Sequence, residues 1–299
     1  MDNKEKMKTL LYLVFLLSTS VFSQELPDPL AKEKEGYFKL LATKYVLMPH
    51  NGTFLLPIVY NTKPHEDLYS GIKGITNQKN AKFYKKEETE FQISFMIPIQ
   101  NRIFKSHFDL NVAYTHHAWW QLYNKEYSRP FRETNYMPEI FLRYIDPSTS
   151  EFAGIDLMAA DIGFVHQSNG QIQIISRSWN RLYGRMFMQG YGFKFIASGW
   201  YRIPEKRNED ENRKIQEFMG YGRLEIIKNL GKHTLSLKVP LAARYLSTDL
   251  KYSYPWKDNL RWYVSVQSGY GHSLIEYNRY TQRYGAGVVL DSFIDKVIE

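Results

Sequence analysis

The stretch FVHQSNGQIQIISRSWNRLYGR, residues 164–185, decides how the rest of the chain is read. His166 and Ser168 stand two apart, so on a β-strand both side chains leave one face. A hairpin centred near Gln173 sets Asn180 opposite His166, Ser178 opposite Ser168 and Ser176 opposite Gly170. Opposed residues of an antiparallel pair share a face. His166, Ser168, Ser176, Ser178 and Asn180 therefore gather into one polar cluster that holds a hydroxyl nucleophile, a base and an orienting amide. His-x-Ser alone is a common surface pattern; its flanks make the difference. Phe152, Met158, Ala160, Ile162 and Phe164 share the face of His166, and Leu182, Met186 and Met188 continue it beyond Asn180. Arg177, Arg181, Arg185 and Gln189 leave the opposite face. This polar cluster thus sits on the apolar side while the charges point the other way, which is inverted for a soluble sandwich and natural for a membrane barrel with a polar lumen.

Working outward, residues 107–122 carry the longest period-two pattern: Phe108, Leu110, Val112, Tyr114, Ala118, Trp120 and Leu122 alternate with His107, Asp109, Asn111, Thr115, His117 and Gln121. His116 and His117 are adjacent and so lie on opposite faces, which makes them a poor metal pair; His117 reads as a lumen polar and His116 looks outward. The same grammar predicts strands over 53–60, 91–99, 128–145, 191–202, 217–227, 235–245, 250–256, 260–267 and 280–290. With the two arms of the hairpin that makes an all-β, transmembrane antiparallel β-barrel of 12 strands, an even number as in single-chain bacterial barrels. Glu133, Glu139, Arg143, Arg177, Arg181, Arg185, Arg223, Glu225, Arg244, Arg261 and Arg283 all fall on the inward face in this reading. The lumen is then expected to be a charged plug and not a wide pore.

Residues 1–23 combine Lys4, Lys6 and Lys8 with an apolar run over 10–17 and a Val-Phe-Ser end, the pattern of a secretory signal peptide. No later run approaches the roughly 18 apolar residues of a transmembrane helix, so integration into a membrane falls to strands. Residues 24–51 read as a periplasmic or surface-bound arm, 52–293 as the barrel with the catalytic hairpin at 164–185, and 294–299 as a C-terminal extension. The chain of 299 residues has no cysteine, which excludes a disulfide framework and thiol chemistry. Aromatics at 16% suit interfacial girdles. The formal charge of +8 invites a nucleic-acid partner, but Lys and Arg are scattered through alternating strands instead of forming a stripe, and attraction to anionic lipid explains the sign better.

His166-Gln-Ser168-Asn169-Gly170 followed by Ser176-Arg-Ser-Trp-Asn180-Arg-Leu-Tyr resembles the active-site hairpin of the outer membrane phospholipase A family. Trp119-Trp-Gln-Leu122, Pro130-Phe-Arg-Glu-Thr-Asn-Tyr136, Met219-Gly-Tyr221 and the run from Ser268 to Asn278 resemble family segments in the same order. The resemblance implies a twelve-stranded barrel of the bacterial outer membrane that hydrolyses sn-1 and sn-2 acyl esters of glycerophospholipids, and lysophospholipids. It implies His166, Ser168 and Asn180 as the catalytic set and the Gly170 N–H at the oxyanion. It further implies Ca2+, held by the Gln171 carbonyl, the Ser176 hydroxyl and a carbonyl at Ser128 of a second subunit, with activity confined to the homodimer. Glu211 is the position it implies for a second calcium. The chain departs from the family at Gln171, where the family carries Arg, and at Ile172, Gln173, Ile174 and Ile175, where it carries a polar Asp-Pro turn. Two other readings stand beside this one: a non-catalytic outer-membrane barrel, porin-like or structural, and a soluble periplasmic β-rich hydrolase.

Overall fold

Apolar and polar residues alternate along nearly every long segment, and the backbone answers with strands. The computed structural model describes residues 47–69, 82–171, 173–206 and 210–290; the expected signal peptide, most of the arm and the C-terminal extension lie outside them. The strands are β1 (Met48–Pro49), β2 (Phe54–Asn61), β3 (Glu87–Gln100), β4 (Phe108–Trp120), β5 (Phe131–Phe152), β6 (Ile155–Ser168), β7 (Ser178–Gly190), β8 (Phe193–Ile203), β9 (Gly222–Leu230), β10 (His233–Leu241), β11 (Thr248–Lys257), β12 (Leu260–Gly269) and β13 (Thr281–Leu290). A short helix, α1 (Ile215–Met219), precedes β9. From β2 to β13 each strand pairs antiparallel with the next, and β13 returns to β2 with Val289 opposite Phe54 and Arg283 opposite Asn61. Twelve strands therefore close on themselves and leave no open edge to recruit other chains.

Closure separates two environments. Outside, Ile162, Leu182, Trp262 and Tyr284 stand exposed; inside, the charges are buried in pairs. Arg143 forks onto Asp161 at 2.7 and 2.9 Å, and Arg132 bridges Glu88 and Glu276. Arg283 joins Glu88 and Glu90, and His117 meets Glu90 at 2.8 Å. Buried charges persist only when paired and hydrogen-bonded, so this network fills the lumen as a set and not residue by residue. The expected charged plug is present, and beside it remains an internal cavity of about 420 Å³ lined by Arg223, Glu225, Lys238, Asp249 and Lys251 among others.

The two barrel ends differ. Connections at one end are short, as at 153–154, 191–192, 231–232 and 258–259, whereas those at the other run over 62–86, 121–130, 169–177, 204–221 and 270–280. Long loops mark the extracellular end of such barrels. The loop over 270–280 folds back into this mouth: Leu274 and Ile275 are buried, and their N–H groups donate to Asn135 Oδ1 at 3.2 Å and Glu133 Oε1 at 3.1 Å.

Several sequence expectations change. Met48 and His50, near the end of the expected arm, are buried in the lumen: Met48–Pro49 pairs with Met96 and Phe95, and His50 lies 3.2 Å from Glu139. Residues 217–219 belong to α1, not to a strand. The alternation from Phe218 to Leu224 runs across Gly220, whose φ of +74° and N–H bond to Gln216 O end the helix. Arg244 is not a lumen residue; it lies beyond β10, exposed, with Glu217 at 3.4 Å. Met158 turns inward because the β6–β7 register shifts between Leu157 and Ala159.

Candidate active site

The β6–β7 ladder places His166 opposite Asn180 and Ser168 opposite Ser178, as the symmetric hairpin requires. It stops there. One further backbone bond, Asn169 N to Arg177 O at 3.0 Å, closes the turn, so Ser176 and Gly170 belong to the loop and not to another rung. Arg177 also precedes β7, and its guanidinium donates back to the carbonyls of Ile174 and Ser176.

His166 Nδ1 lies 2.8 Å from Asn180 Oδ1. A carbonyl oxygen can only accept, so the imidazole proton is on Nδ1 and Nε2 is left as the free base. Ser168 sits two residues along on the same face, with Tyr136 of β5 on its other side. The alternating inward residues hold the strands in place. Gln167 Oε1 accepts from Trp179 Nε1 at 2.9 Å and from Arg181 Nη2 at 2.8 Å, and the Arg181 guanidinium lies 3.9 Å from the Trp179 ring centre. A wrong register would expose that stack to lipid, so the lumen side fixes what the lipid side presents.

The turn is built on Asn169, which is fully buried. Its Oδ1 accepts from Arg177 N at 2.9 Å and Gln171 N at 3.3 Å, and its Nδ2 donates to Ile175 O at 2.8 Å and Glu133 Oε2 at 3.4 Å. Gly170 follows with φ +62°, exposed, and a Cβ there would meet the Tyr136 ring at 2.9 Å. Gln171 and Ser176 flank the short helical turn Gln173–Ile175. Ser128 and Glu211 are both exposed and stand on other connections of the same barrel end. Ser128 is left-handed with φ 57°, and its N–H donates to Lys125 O.

Among the described residues no three His, Cys, Asp or Glu side chains come together to hold a metal ion. Any cation at this turn would have to be held by carbonyl and hydroxyl oxygens, a donor type that calcium accepts. Gln171 and Ser176 present that type in a turn that Asn169 ties at both ends.

Asn169, Glu133, Tyr136 and Glu205 also border the hairpin, and the sequence carries little sign of it. The Asn-Gly dipeptide was the available signal for Asn169, since Asn side chains bond the backbone of their own turn. Glu133 and Tyr136 come from β5, and Glu205 follows β8; its Oε1 accepts from Asn180 Nδ2 at 3.4 Å.

A closed twelve-stranded antiparallel barrel with apolar residues outside and paired charges inside defines an integral protein of the bacterial outer membrane. Residues 33–290 match the family model for Phospholipase A1, and the chain belongs to that family. Phospholipase A1 of Escherichia coli K12 is 34% identical over 285 residues, spanning 93% of this chain and 96% of that protein. The dimeric, calcium-bound outer membrane phospholipase of Salmonella typhi superposes with a TM-score of 0.77 at 34% identity, covering 86% of this chain and 97% of that one. An active-site mutant of the Escherichia coli enzyme, with an asparagine replaced by alanine, superposes with a TM-score of 0.76 at 33% identity, covering 84% and 94%.

Proposed function

We propose that this phospholipase hydrolyses the sn-1 and sn-2 acyl esters of glycerophospholipids, and lysophospholipids, through Ser168, His166 and Asn180, and that it does so as a calcium-dependent homodimer. The observation that carries the reading is the 2.8 Å contact between His166 Nδ1 and Asn180 Oδ1 on the side of the barrel that faces lipid.

The chemistry follows from the protonation state. His166 Nε2 takes the proton of Ser168 Oγ as that oxygen attacks the acyl carbonyl, and the carbonyl electrons move to the oxyanion. The Gly170 N–H is the donor suited to that oxygen, because the absence of a side chain lets it approach closely. Collapse of the tetrahedral species breaks the ester bond, and the His166 imidazolium protonates the departing glyceryl oxygen. Water then enters, gives its proton to Nε2, and attacks the acyl-serine; Ser168 is regenerated and the fatty acid leaves. Asn180 holds the Nδ1–H tautomer throughout but brings no charge of its own.

The Gln171 carbonyl and Ser176 hydroxyl would hold calcium together with the carbonyl of the partner subunit's Ser128, and Glu211 would serve a second calcium. When bound, the ion supplies positive charge near the oxyanion. A lone barrel presents Ile162, Leu182 and Tyr201 around the triad as a convex surface with no walls for an acyl chain, and a second copy against this face supplies them.

Hydrolysis of phospholipid in detergent mixed micelles tests the reading. Fatty acid release in calcium that stops with a chelator and returns on calcium addition is expected. A folded chain that releases none would instead be a non-catalytic barrel.

A further inference from the structure

We infer that Glu205 is a positioning residue for the reaction: it binds the amide of Asn180 from behind, fixes which end of that amide faces His166, and sets a carboxylate two hydrogen bonds away from the imidazolium, across that amide. This deepens the triad reading and rests on it.

The placement is topological. Ile203 is the last residue of β8 and pairs with Asn180. Pro204 has no N–H to continue the ladder, so the chain leaves the sheet directly beside the triad. Glu205 then comes to lie with Oε1 at 3.4 Å from Asn180 Nδ2. An asparagine amide has two ends of nearly equal size and opposite hydrogen-bonding sense. Rotated by half a turn, Asn180 would present Nδ2 to His166 and lose the tautomer that frees Nε2. A carboxylate only accepts when ionised, so Glu205 accommodates the Nδ2 end alone. The same contact answers the charge that Asn180 lacks.

Glu205 stands among other charges of both signs. Arg202 Nη2 lies 3.9 Å from Glu205 Oε2 and 2.7 Å from Asp210 Oδ1. Partial burial raises the Glu205 carboxyl above its ordinary range; Arg202 and His166 draw it down, while Asp210 and Glu211 raise it. Arg202 is thus shared between two carboxylates, and Glu205 keeps a free oxygen for Asn180.

The test uses the full chain folded in detergent with calcium, and heat-modifiable gel migration reports folding of each variant. Glu205→Ala is expected to lower kcat about tenfold, the loss of one hydrogen bond that ends on a charged group, with KM unchanged. Glu205→Gln keeps an accepting oxygen and the fold but removes the charge, and is expected to fall between Glu205→Ala and the parent. In an Asn180→Ala background Glu205→Ala should change kcat no further, because the residue acts only through that amide. Parental kcat in Glu205→Ala, or a full second loss on top of Asn180→Ala, overturns the proposal. Undiminished hydrolysis in Ser168→Ala would instead overturn the triad reading itself, so the two failures are told apart.

Discussion

Asn180 Oδ1 stands 2.8 Å from His166 Nδ1 across opposed rungs of β6 and β7, on the outer face of a closed barrel. An amide in this position orients the imidazole without neutralising it, so its removal should hurt less than removal of the base or the nucleophile. Ser168→Ala and His166→Ala are expected to abolish measurable fatty acid release. Asn180→Ala should retain activity reduced by about 10- to 100-fold, the cost of one hydrogen bond to a group that becomes charged. Initial rates on a single phospholipid in mixed micelles decide it, and equal losses in all three would mean that Asn180 does more than orient.

Gly170 is constrained twice, by a φ of +62° and by the Tyr136 ring 2.9 Å from where a Cβ would sit. Gly170→Ala is therefore expected to shift the turn that carries the proposed oxyanion donor and to lower kcat by about a hundredfold, the usual scale for losing one such donor. Tyr136→Ala relieves the ring contact but not the backbone strain, so the double variant should recover little. Full recovery would show that the ring alone, and not the left-handed backbone, makes glycine necessary.

The lumen network makes a stability prediction in which burial outranks bond length. Arg279 and Asp67 approach to 2.6 Å but both are well exposed, whereas Arg132 is wholly buried between Glu88 and Glu276 at 2.9–3.1 Å. Removing one partner of a buried set costs about 3–5 kcal/mol because it strands the others, whereas exposed pairs contribute about 0–1 kcal/mol. Arg132→Met should lower the temperature at which the folded gel band converts to the unfolded one by a clear margin, and Arg279→Ala should scarcely move it.

Much of this was legible in the chain before its coordinates. The alternation over 107–122 locates β4, and the spacing from His166 to Asn180 fixes their pairing, because both depend on a period of two that a pleated strand enforces locally. What escaped the sequence is brought in from elsewhere. Met48 reaches the lumen by pairing with β3, Glu133 joins the turn from β5, and Glu205 arrives because β8 ends beside Asn180. None of these leaves a periodic trace. The helix at α1 was hidden for the opposite reason: Phe218 and Leu224 keep an apparent alternation across a backbone that Gly220 has already turned.

The proposed calcium site lies at the turn that Asn169 ties together. The chain's own donors there, the Gln171 carbonyl and the Ser176 hydroxyl, fall well short of the six to eight oxygens that calcium takes. A site so incomplete is weak in one subunit and stronger where a second supplies a carbonyl, which links occupancy to association by mass action. Sedimentation in detergent is expected to show dimers in calcium and monomers in chelator, with hydrolysis following the dimer. Ser176→Ala removes one donor and should raise the calcium needed for dimerisation and for activity together, by about tenfold. Asn169→Ala leaves the ligands in place but frees the turn, since Arg177 N and Ile175 O lose their partner, and should produce the same joint shift. A fully active monomer, or dimerisation indifferent to calcium, would sink the coupling.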